Sequence, residues 1–554
     1  MKQRPASKPA DTRPTTRRGR RLGLAGVLLL LGALFGFSVL ARQDRFGDLE
    51  GRGHEWLTGS AVKFTRNWYR EGAWHLHFAM LENPRSIEFP DLRSREPYVS
   101  YPVGCLLPVH ALARLAHREP SPGLVMSVDL AGQCAGAFLV FAILMIALEG
   151  LDLGWLARLA LALLGFLFWV FLPGPFYWLQ NVYFSDQAIL PWVLLAILFE
   201  LLHERSGDAR WEIAQSLAVG WGLFTDWLMV PFAAALLVVK WTTTWRRDPI
   251  SARSRRAILW LVPAAIALLV FAIQVASLEG FAILRHKLLA RTGVMAGASF
   301  HFSQLYDRFF LTYVPRNFGG APAPWLLALS AVALAALAVA HRGRGEAGVG
   351  RALRLGFLLL VPPTLHCLVL WQHSVDHSFT PLRFLPAFAC LPFALLPALV
   401  ARAMGLSPTV RSAIALAMLV VGVLFLGAGR GELAGLERAR RPEIPALGAS
   451  LARLTRYEDV VFSPDFEVPI NPPELLSYSM KRVDRVASPE SLGLRLSAVP
   501  DRARVRLVFL REPDAAWARR LQGTAPRDDG MVRAYDLGAA SALRASWDRG
   551  DGAR

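Results

Sequence analysis

The sequence predicts a mainly α-helical protein, a polytopic transmembrane bundle that ends in a small C-terminal α/β domain. Hydrophobic residues make up 54% of its 554 positions, and the mean hydropathy is +0.34. A chain this long and this apolar is typical of many membrane spans rather than of one soluble domain. Near residue 442 the composition changes to alternating helix and strand patterns, which indicates a separate domain over 442–554.

The charge of the chain is strongly basic, with a formal net charge of +18. Cytoplasmic loops of membrane proteins collect Lys and Arg, and no nucleic-acid-binding module is visible in the sequence. We therefore expect the lipid bilayer to be a partner and nucleic acid not to be one. The four cysteines have neither metal-type nor disulfide-framework spacing, so buried free thiols are expected.

Apolar segments mark the spans of the predicted domain over 22–428. We expect roughly 10–12 membrane helices in all, some of them short or re-entrant. The segments long enough to span are 22–40, 122–148, 155–172, 186–203, 256–279, 322–340, 352–372, 379–402 and 410–428. Residues 1–21 are basic and polar, which predicts a disordered cytoplasmic tail, and 22–40 is then an uncleaved first span or, alternatively, a signal peptide cleaved after Ala41. Residues 98–117 are interrupted by Pro102 and Pro108, which favours a re-entrant or interfacial helix.

The stretch GWGLFTDWLMVPF, residues 220–232, places Asp226 inside the apolar run 213–239. One crossing by this run would move the later arginine-rich loops outside, against the positive-inside rule. Two short helices that turn near Thr225 and Asp226 keep those loops inside. A turn at membrane depth must be buried in protein or line a polar cavity. Asp226 therefore either caps the second helix or lines such a cavity, and the two roles are compatible.

This topology places five segments outside, namely 41–97, 173–185, 280–321, 373–378 and the chain after 429. Asp186, Asp376 and His377 all fall in or beside them, which favours an outward-facing polar cavity. The long first loop, 41–97, carries aromatic and basic residues that suit a helix at the membrane interface. The tail is predicted to form three or four strands outside the membrane, and it lacks both GxGxxG and GxxxxGK[ST].

Four stretches in this order carry a family resemblance. They are EPYVSYPVGCLLPVHAL, YFSDQAILPWVLLAILFELL, GLFTDWLMVPFAAALL and QHSVDHSFTPLRFLPAF. With the long first loop and the terminal domain, this arrangement resembles the GT-C superfamily of membrane glycosyltransferases. That superfamily includes protein O-mannosyltransferases and aminoarabinose transferases, and the likeness covers roughly residues 22–428.

The resemblance implies transfer of a sugar from a polyprenyl-phosphate carrier to an envelope acceptor at the outer face of the cytoplasmic membrane. It also implies a catalytic acid early in the first loop, where a carboxylate would take the proton of the acceptor hydroxyl. Glu55, in GHEWLTG, is the expected base and Asp48 the second candidate. The alternative is that these acids are solvated loop charges.

The remaining candidates are assigned to substrate binding. Arg383 and Arg316 would hold the carrier phosphate, since guanidinium groups suit bidentate phosphate contacts. The other candidates are Asp226, Asp186, His377, Asp376 and, in the YPVG stretch, Tyr101. No cofactor is expected, although His373 and His377 are four residues apart and could bind a divalent cation if that segment is helical.

Two other functions remain open at the level of sequence. Broken helices and membrane-embedded charges also occur in transporters, so the protein could be a transporter or flippase of lipid-linked envelope precursors. It could also be a non-catalytic scaffold with the same fold. The sugar, the acceptor and the oligomeric state are not encoded in any motif that we find.

Overall fold

Helices of membrane length dominate the computed structural model, which describes residues 17–243, 245, 249–294, 301–342, 346–437, 441–465 and 472–547. Residues 1–44 form one unit and residues 45–554 a second. In the first unit, helix α1 (Arg17–Leu40) covers the predicted first span. The predicted disordered tail, 1–21, lies outside the described residues up to position 16.

The second unit holds the other predicted spans and the terminal domain. Its α-helices up to the last span are α2 (Trp56–Glu71), α3 (Leu107–Leu115), α4 (Pro122–Glu149), α5 (Trp155–Phe171), α6 (Pro173–Asn181), α7 (Ser185–Ala188), α8 (Leu190–Ser206), α9 (Ala209–Leu223), α10 (Met229–Thr243), α11 (Ile250–Ser277), α12 (Phe281–Arg291), α13 (Phe302–Gln304), α14 (Val314–Phe318), α15 (Ala323–Ala340), α16 (Ala347–Val369), α17 (Trp371–Asp376), α18 (Leu385–Cys390), α19 (Leu396–Ala403), α20 (Pro408–Ala428) and α21 (Arg430–Glu437). Short 3-10 or π segments also occur, at Val103–Cys105, Leu305–Tyr313, Thr380–Phe384 and Leu391–Leu395.

Seven helical segments within the described residues are long and apolar enough to cross a membrane, or eight if the bent pair α5 and α6 is one span. The chain is thus a multi-pass membrane protein, as predicted. The bend of 55° between α5 and α6 falls at Leu172, whose ψ of 148° is extended. Because Pro173 follows, its ring excludes Leu172 from the helical region.

The run around Asp226 forms two short helices, as the charge argument predicts. Helices α9 and α10 have 15 residues each, which is about 22 Å of helix at about 1.5 Å per residue. The predicted re-entrant or interfacial segment, 98–117, contains only the nine-residue α3 and a 3-10 turn. The backbone N–H of Gly104 in that turn donates to the Phe224 carbonyl at 2.8 Å. This hydrogen bond pairs a backbone donor of one irregular segment with a backbone acceptor of the other.

The terminal domain is a five-stranded sheet in the order β2-β1-β3-β5-β4. Its elements are α22 (Glu443–Leu454), β1 (Asp459–Ser463), α23 (Pro473–Ser479), β2 (Val483–Arg485), α24 (Pro489–Leu496), β3 (Arg504–Phe509), α25 (Ala515–Arg520), β4 (Arg527–Asp528), β5 (Arg533–Ala539) and α26 (Ala540–Trp547). Strands β2 and β3 pair in parallel with β1, whereas β5 pairs antiparallel with β3 and β4. The prediction of three or four strands was wrong because β4, with two residues, is too short to show an alternating pattern.

Both faces of this sheet are buried. On β1, Val460 and Phe462 pack into one apolar cluster with α24 and α26, and Val461 packs into another with α22 and α23. A sheet covered on both faces gives near-continuous apolar strands, which explains why VVF and VRLVF are readable in the sequence.

The first loop and the terminal domain meet where α2 crosses α23. A Cβ atom on Gly59 of α2 would lie 2.8 Å from the backbone nitrogen of Glu474, so only glycine allows this approach. Nearby, Leu49 N–H donates to the Tyr478 hydroxyl at 3.1 Å. The contact also buries the Glu474 side chain, which is 7% exposed. The terminal domain therefore lies at the same end of the bundle as the first loop.

The buried carboxyl of Glu474 gives this junction a pH-dependent stability. Burial, together with the charge of nearby Glu55, raises the pKa of Glu474 from 4.5 to about 7. The folded state therefore retains a proton that the unfolded chain releases above about pH 4.5, and folded stability falls as the pH rises from there through about 7. We expect Glu474→Gln to melt at a higher temperature than wild type at about pH 8 and at the same temperature at about pH 4. Equal melting temperatures of the purified proteins at both pH values would contradict this assignment.

Candidate active site

Two buried opposite charges meet at the ends of two spans. Asp186 lies in the four-residue helix α7 at the start of one span, and Arg383 lies in the 3-10 turn that opens another. The Arg383 Nη2 group donates to Asp186 Oδ1, and the two residues are 2% and 3% exposed, respectively. Because an isolated charge is very costly in such surroundings, each holds the other in its charged form.

A histidine and a tyrosine extend this pair. His373 Nε2 lies 3.9 Å from Asp186 Oδ1 and 3.4 Å from the Tyr101 hydroxyl. His373 belongs to α17, outside the spans, and burial lowers its pKa from 6.5 to about 3. Its imidazole is therefore neutral at neutral pH and can accept or donate one hydrogen bond on each side.

The turn between α9 and α10 lies against the same group. Asp226 is fully buried, and its Oδ1 accepts the Leu228 N–H at 2.8 Å within the turn that precedes α10. The neighbouring Trp227 indole donates to the Ser100 carbonyl at 2.8 Å. This contact fixes the segment that carries Tyr101.

The loop after α16 supplies three further side chains. The His373 and His377 rings are 4.7 Å apart in an edge-to-face arrangement, and Phe379 stacks on His377 with centroids 5.3 Å apart. Asp376 is exposed and accepts from Gln372 Nε2 at 3.0 and 3.1 Å. A short helix that ends at Asp376 thus directs acidic and imidazole groups to one side.

These groups surround a pocket of about 260 Å³, which we call the central pocket. Its wall is formed by the start of α2, by residues 98–101, by residues 184–186, by α12 and by residues 372–379. All of these segments lie at the same end of the bundle. Its lining joins carboxylate, imidazole, phenol and aromatic surfaces, which is typical of a site for a polar ligand.

Helix α12 contributes two cations to the wall of the central pocket, Lys287 and Arg291. The Arg291 guanidinium lies 4.1 Å from the centroid of the Tyr101 ring and donates to the Tyr98 hydroxyl at 3.0 Å. Lys287 is exposed one turn earlier on the same helix. The pocket therefore has the carboxylates of Asp186 and Asp376 on two of its walls and the two cations of α12 on another.

Comparison with solved structures identifies the architecture. ArnT from Cupriavidus metallidurans in the apo state is 13% identical, with a TM-score of 0.51 over 94% of this chain and 99% of that one. The oligosaccharyltransferase of Archaeoglobus fulgidus, tethered to an acceptor peptide containing the NVT sequon, gives a TM-score of 0.53 at 9% identity. This match covers 95% of the present chain and 71% of the oligosaccharyltransferase chain.

The chain has the GT-C fold. At these identities the likeness establishes the architecture, which is the one that the sequence resemblance predicted.

Sequence comparison adds little to this result. No family model matches the chain. A probable peptidoglycan glycosyltransferase FtsW from Burkholderia thailandensis is 29% identical over 115 residues, which are 20% of this chain. The match covers 25% of the length of that relative.

Within the GT-C fold, the structure brings most of the predicted substrate-binding residues together. Tyr101, Asp186, Asp376 and His377 line the central pocket. Arg383 does not line the pocket but donates to the Asp186 carboxylate. Asp226 lies in the turn whose Trp227 indole donates to Ser100, a residue of the pocket wall. Arg316 is exposed on α14 and does not line the pocket.

Neither of the two predicted catalytic acids is among the residues that line the central pocket. Glu55 is 1% exposed, and its Oε2 accepts the backbone N–H groups of Glu50 and Arg52 at 2.8 and 3.1 Å. Burial raises the pKa of Glu55. The Asp48 carboxylate accepts from the Tyr478 hydroxyl at 3.2 Å. Both acids hold the first loop in place in this structure, and their catalytic role stays a prediction.

Neither Lys287 nor Arg291 is among the site residues that the sequence predicted. Their spacing of four residues on a helix outside the spans places both on one face, and this signal could have found them. For the suggested divalent cation, no group of three or more potential ligands is arranged for a metal ion among the described residues.

The pair of Asp186 and Arg383 predicts a non-additive effect on stability. Arg383→Gln should lower the free energy of unfolding by about 3–5 kcal/mol, because it leaves the Asp186 charge buried alone. The double variant Asp186→Asn/Arg383→Gln should recover most of that loss. Thermal melting of the purified proteins would measure both, with exposed Arg316→Gln as the control. A double variant less stable than Arg383→Gln would contradict the pairing.

Proposed function

We propose that the protein is a membrane glycosyltransferase that moves a sugar from a polyprenyl-phosphate carrier to an envelope acceptor. The observation that carries this proposal is the central pocket, where the Asp186 carboxylate faces the two cations of α12 within a GT-C fold. A glycosyl phosphate needs cations at its leaving group and a carboxylate or imidazole at the incoming hydroxyl, and the pocket has both.

Lys287 and Arg291 bind the carrier phosphate in this proposal. The guanidinium presents paired N–H donors that match phosphate oxygens, and the ammonium adds a second positive charge. As the bond between the anomeric carbon and the phosphate oxygen breaks, the electron pair remains on that oxygen. Fixed cations beside the leaving group stabilise the developing negative charge.

Asp186 and His373 act on the acceptor. The acceptor oxygen attacks the anomeric carbon, and its proton passes to Asp186 or to the neutral imidazole of His373, 3.9 Å away from it. Arg383 and Tyr101 keep these two groups in place. The half-buried Trp56 ring, which also lines the pocket, offers an apolar face to the sugar.

The arginine-rich connections determine the proposed orientation. Described arginines lie at the span ends opposite to the central pocket: Arg253 and Arg256 in the first turns of α11, Arg351 and Arg354 in the first turns of α16, and Arg402 and Arg411 on either side of the turn between α19 and α20. The positive-inside rule then places the N-terminus in the cytoplasm, and the pocket and the sheet domain outside the cytoplasmic membrane.

Mass profiles of envelope glycolipids and glycoproteins test the reaction. Cells with Asp186→Asn should lose the transferred sugar, with at least a hundredfold lower transfer if the group moves the proton, since such catalysis contributes about 10²–10⁴-fold. They should also accumulate the lipid-linked donor. Glu55→Gln, compared at equal membrane abundance, tests the competing assignment. If Glu55→Gln loses transfer while Asp186→Asn stays active, the catalytic base is Glu55 of the first loop and not Asp186. Flux of an unmodified precursor across vesicles without sugar transfer would favour a transporter.

Two arginine variants on α12 test whether this helix binds the donor phosphate. Arg291→Gln should raise the KM for the lipid-linked donor by about tenfold or more, because a charge-assisted contact of roughly 1.5–3 kcal/mol is lost. Arg285→Gln is the matched control, since Arg285 is an exposed arginine of α12 that does not line the pocket. Equal donor KM values for the two variants, measured with purified protein, would exclude Arg291 from donor binding.

A further inference from the structure

The buried ion pair of Asp186 and Arg383 has a third charged neighbour, Asp226. This aspartate lies in the turn between α9 and α10 and is fully buried. It interacts electrostatically with both members of the pair. One guanidinium therefore serves two buried carboxyls, and the three groups come from three separate segments of the chain. The reaction proposed above uses only one of these carboxyls.

Two members of this group have polar atoms that remain unused. Asp226 accepts the Leu228 N–H through Oδ1, and its Oδ2 is buried with no hydrogen-bond partner among the described residues. Arg383 donates to Asp186 through Nη2. Its Nε and Nη1 are also buried without a partner in the part of the chain that the structure describes. Such atoms are uncommon in folded proteins, and a catalytic role is one of the reasons for them.

Further titratable groups surround the two carboxyls. Tyr101 and the Cys105 thiol face both of them. Asp186 also faces one arginine and three histidines, namely Arg291, His366, His373 and His377. Arg291 is half-buried at the wall of the central pocket, where the donor phosphate matches its charge in the proposed function. Among these described groups, Arg383 is therefore the cation that balances the two buried carboxyls.

A count of charges shows what the second carboxylate changes. Transfer of the acceptor proton to Asp186 or to His373 adds one positive charge to the buried group. With the ion pair alone, the group would change from neutral to positive, and a buried positive charge without a counter-charge is very costly. With Asp226 included, the group changes from one net negative charge to neutral. A nearby like charge favours protonation of a carboxylate, so Asp226 makes the proton easier to accept.

We propose that Asp226 is a positioning residue of the transfer, whose carboxylate balances Arg383 when Asp186 or His373 takes the acceptor proton. This inference rests on the proposed function and adds a residue that does not line the central pocket. The bonds that form and break are those of the proposed transfer, and Asp226 itself neither gains nor loses a proton. The arginine that orients the base would otherwise weaken it, and Asp226 offsets that effect.

Thermal melting of the purified full chain tests the balance of charge without reference to catalysis. Asp186→Asn and Asp226→Asn each leave one carboxylate for Arg383, so each should lower the melting temperature only slightly. An asparagine at 226 also keeps an oxygen for the Leu228 N–H. The double variant Asp186→Asn/Asp226→Asn leaves the Arg383 charge buried alone. Its melting temperature should fall by at least twice the sum of the two single losses.

A triple variant distinguishes charge from packing. Adding Arg383→Gln to the double variant removes the uncompensated charge, and most of the lost melting temperature should return. Losses in the double variant that equal the sum of the single losses would overturn the inference. If the double variant does not fold, the triple variant should still fold. A triple variant that also fails to fold would attribute the loss to packing and would overturn the inference as well.

The pH dependence of kcat tests the role of Asp226 in the transfer. The donor is extracted from Asp186→Asn cells, and envelope extract of the same cells supplies the acceptor. Asp226→Asn should lower kcat by about tenfold or more, since a weaker base takes the proton less readily. The acidic limb of its profile should move to lower pH by about one unit or more, because a weaker base stays unprotonated to lower pH.

Two matched variants serve as controls. Asp226→Glu keeps the negative charge, so its acidic limb should stay at the wild-type pH. Asp208→Asn removes a carboxylate at the opposite end of α9, whose Oδ1 likewise accepts the N–H two residues further on, and it should behave like wild type. A purely structural role would lower kcat in both Asp226 variants and leave the limb unmoved, which would overturn the inference.

The two experiments separate this inference from the proposed function. A wild-type chain that transfers no sugar would refute the proposed function, and the melting experiment would still test the balance of charge. Additive melting losses, or an unmoved acidic limb in a wild-type chain that does transfer sugar, would refute only the role of Asp226.

Discussion

The buried ion pair of Asp186 and Arg383 is the constraint on which the site depends. It joins two spans whose charged residues are 197 positions apart in the chain, and neither charge is tolerable alone at this depth. Arg383 does not line the central pocket and donates to Asp186 through Nη2, so it orients the carboxylate. The cations that remain at the wall of the central pocket come from α12, a helix outside the spans. Arg383 thereby orients the Asp186 carboxylate, whereas Lys287 and Arg291 can contact a ligand.

Irregular backbone is concentrated around this pair for a physical reason. Continuous helices project side chains sideways, whereas a helix break presents side chains and backbone groups along the bundle axis. The breaks at residues 182–184, 224–228 and 377–379 all lie beside the site. Backbone groups at these breaks have partners in protein, as when the Gly104 N–H donates to the Phe224 carbonyl and Asp226 Oδ1 accepts the Leu228 N–H.

The sequence was most informative where charge and hydropathy act over whole segments. The positions of arginine-rich loops sufficed to predict two short helices around Asp226, and those helices are present. Apolar runs located the spans to within a few residues, because burial in lipid demands length. The two-residue β4 produced no such pattern, since a strand this short contains no repeat to detect.

The site itself was predictable as a set of residue types but not as a set of contacts. Asp186, Asp376 and His377 could be grouped because topology alone placed them at one end of the bundle. Whether Glu55 faces the pocket or its own loop depends on the backbone around it, and in the structure its carboxylate accepts two N–H groups of that loop. No pattern of residue types distinguishes these two arrangements.

Residues 183–187 separate the central pocket from a second cavity, of about 300 Å³, that is lined mainly by α4 and α8. In an extended or tightly turned segment, neighbouring side chains point to opposite faces, so Phe184 lines the central pocket and Tyr183 lines the second cavity. One face of the segment therefore presents the Asp186 carboxylate to the pocket that also contains Lys287 and Arg291, while the other presents the Gln187 amide and aromatic surfaces to the spans. A charged site can lie beside an apolar cavity because a single short segment serves both.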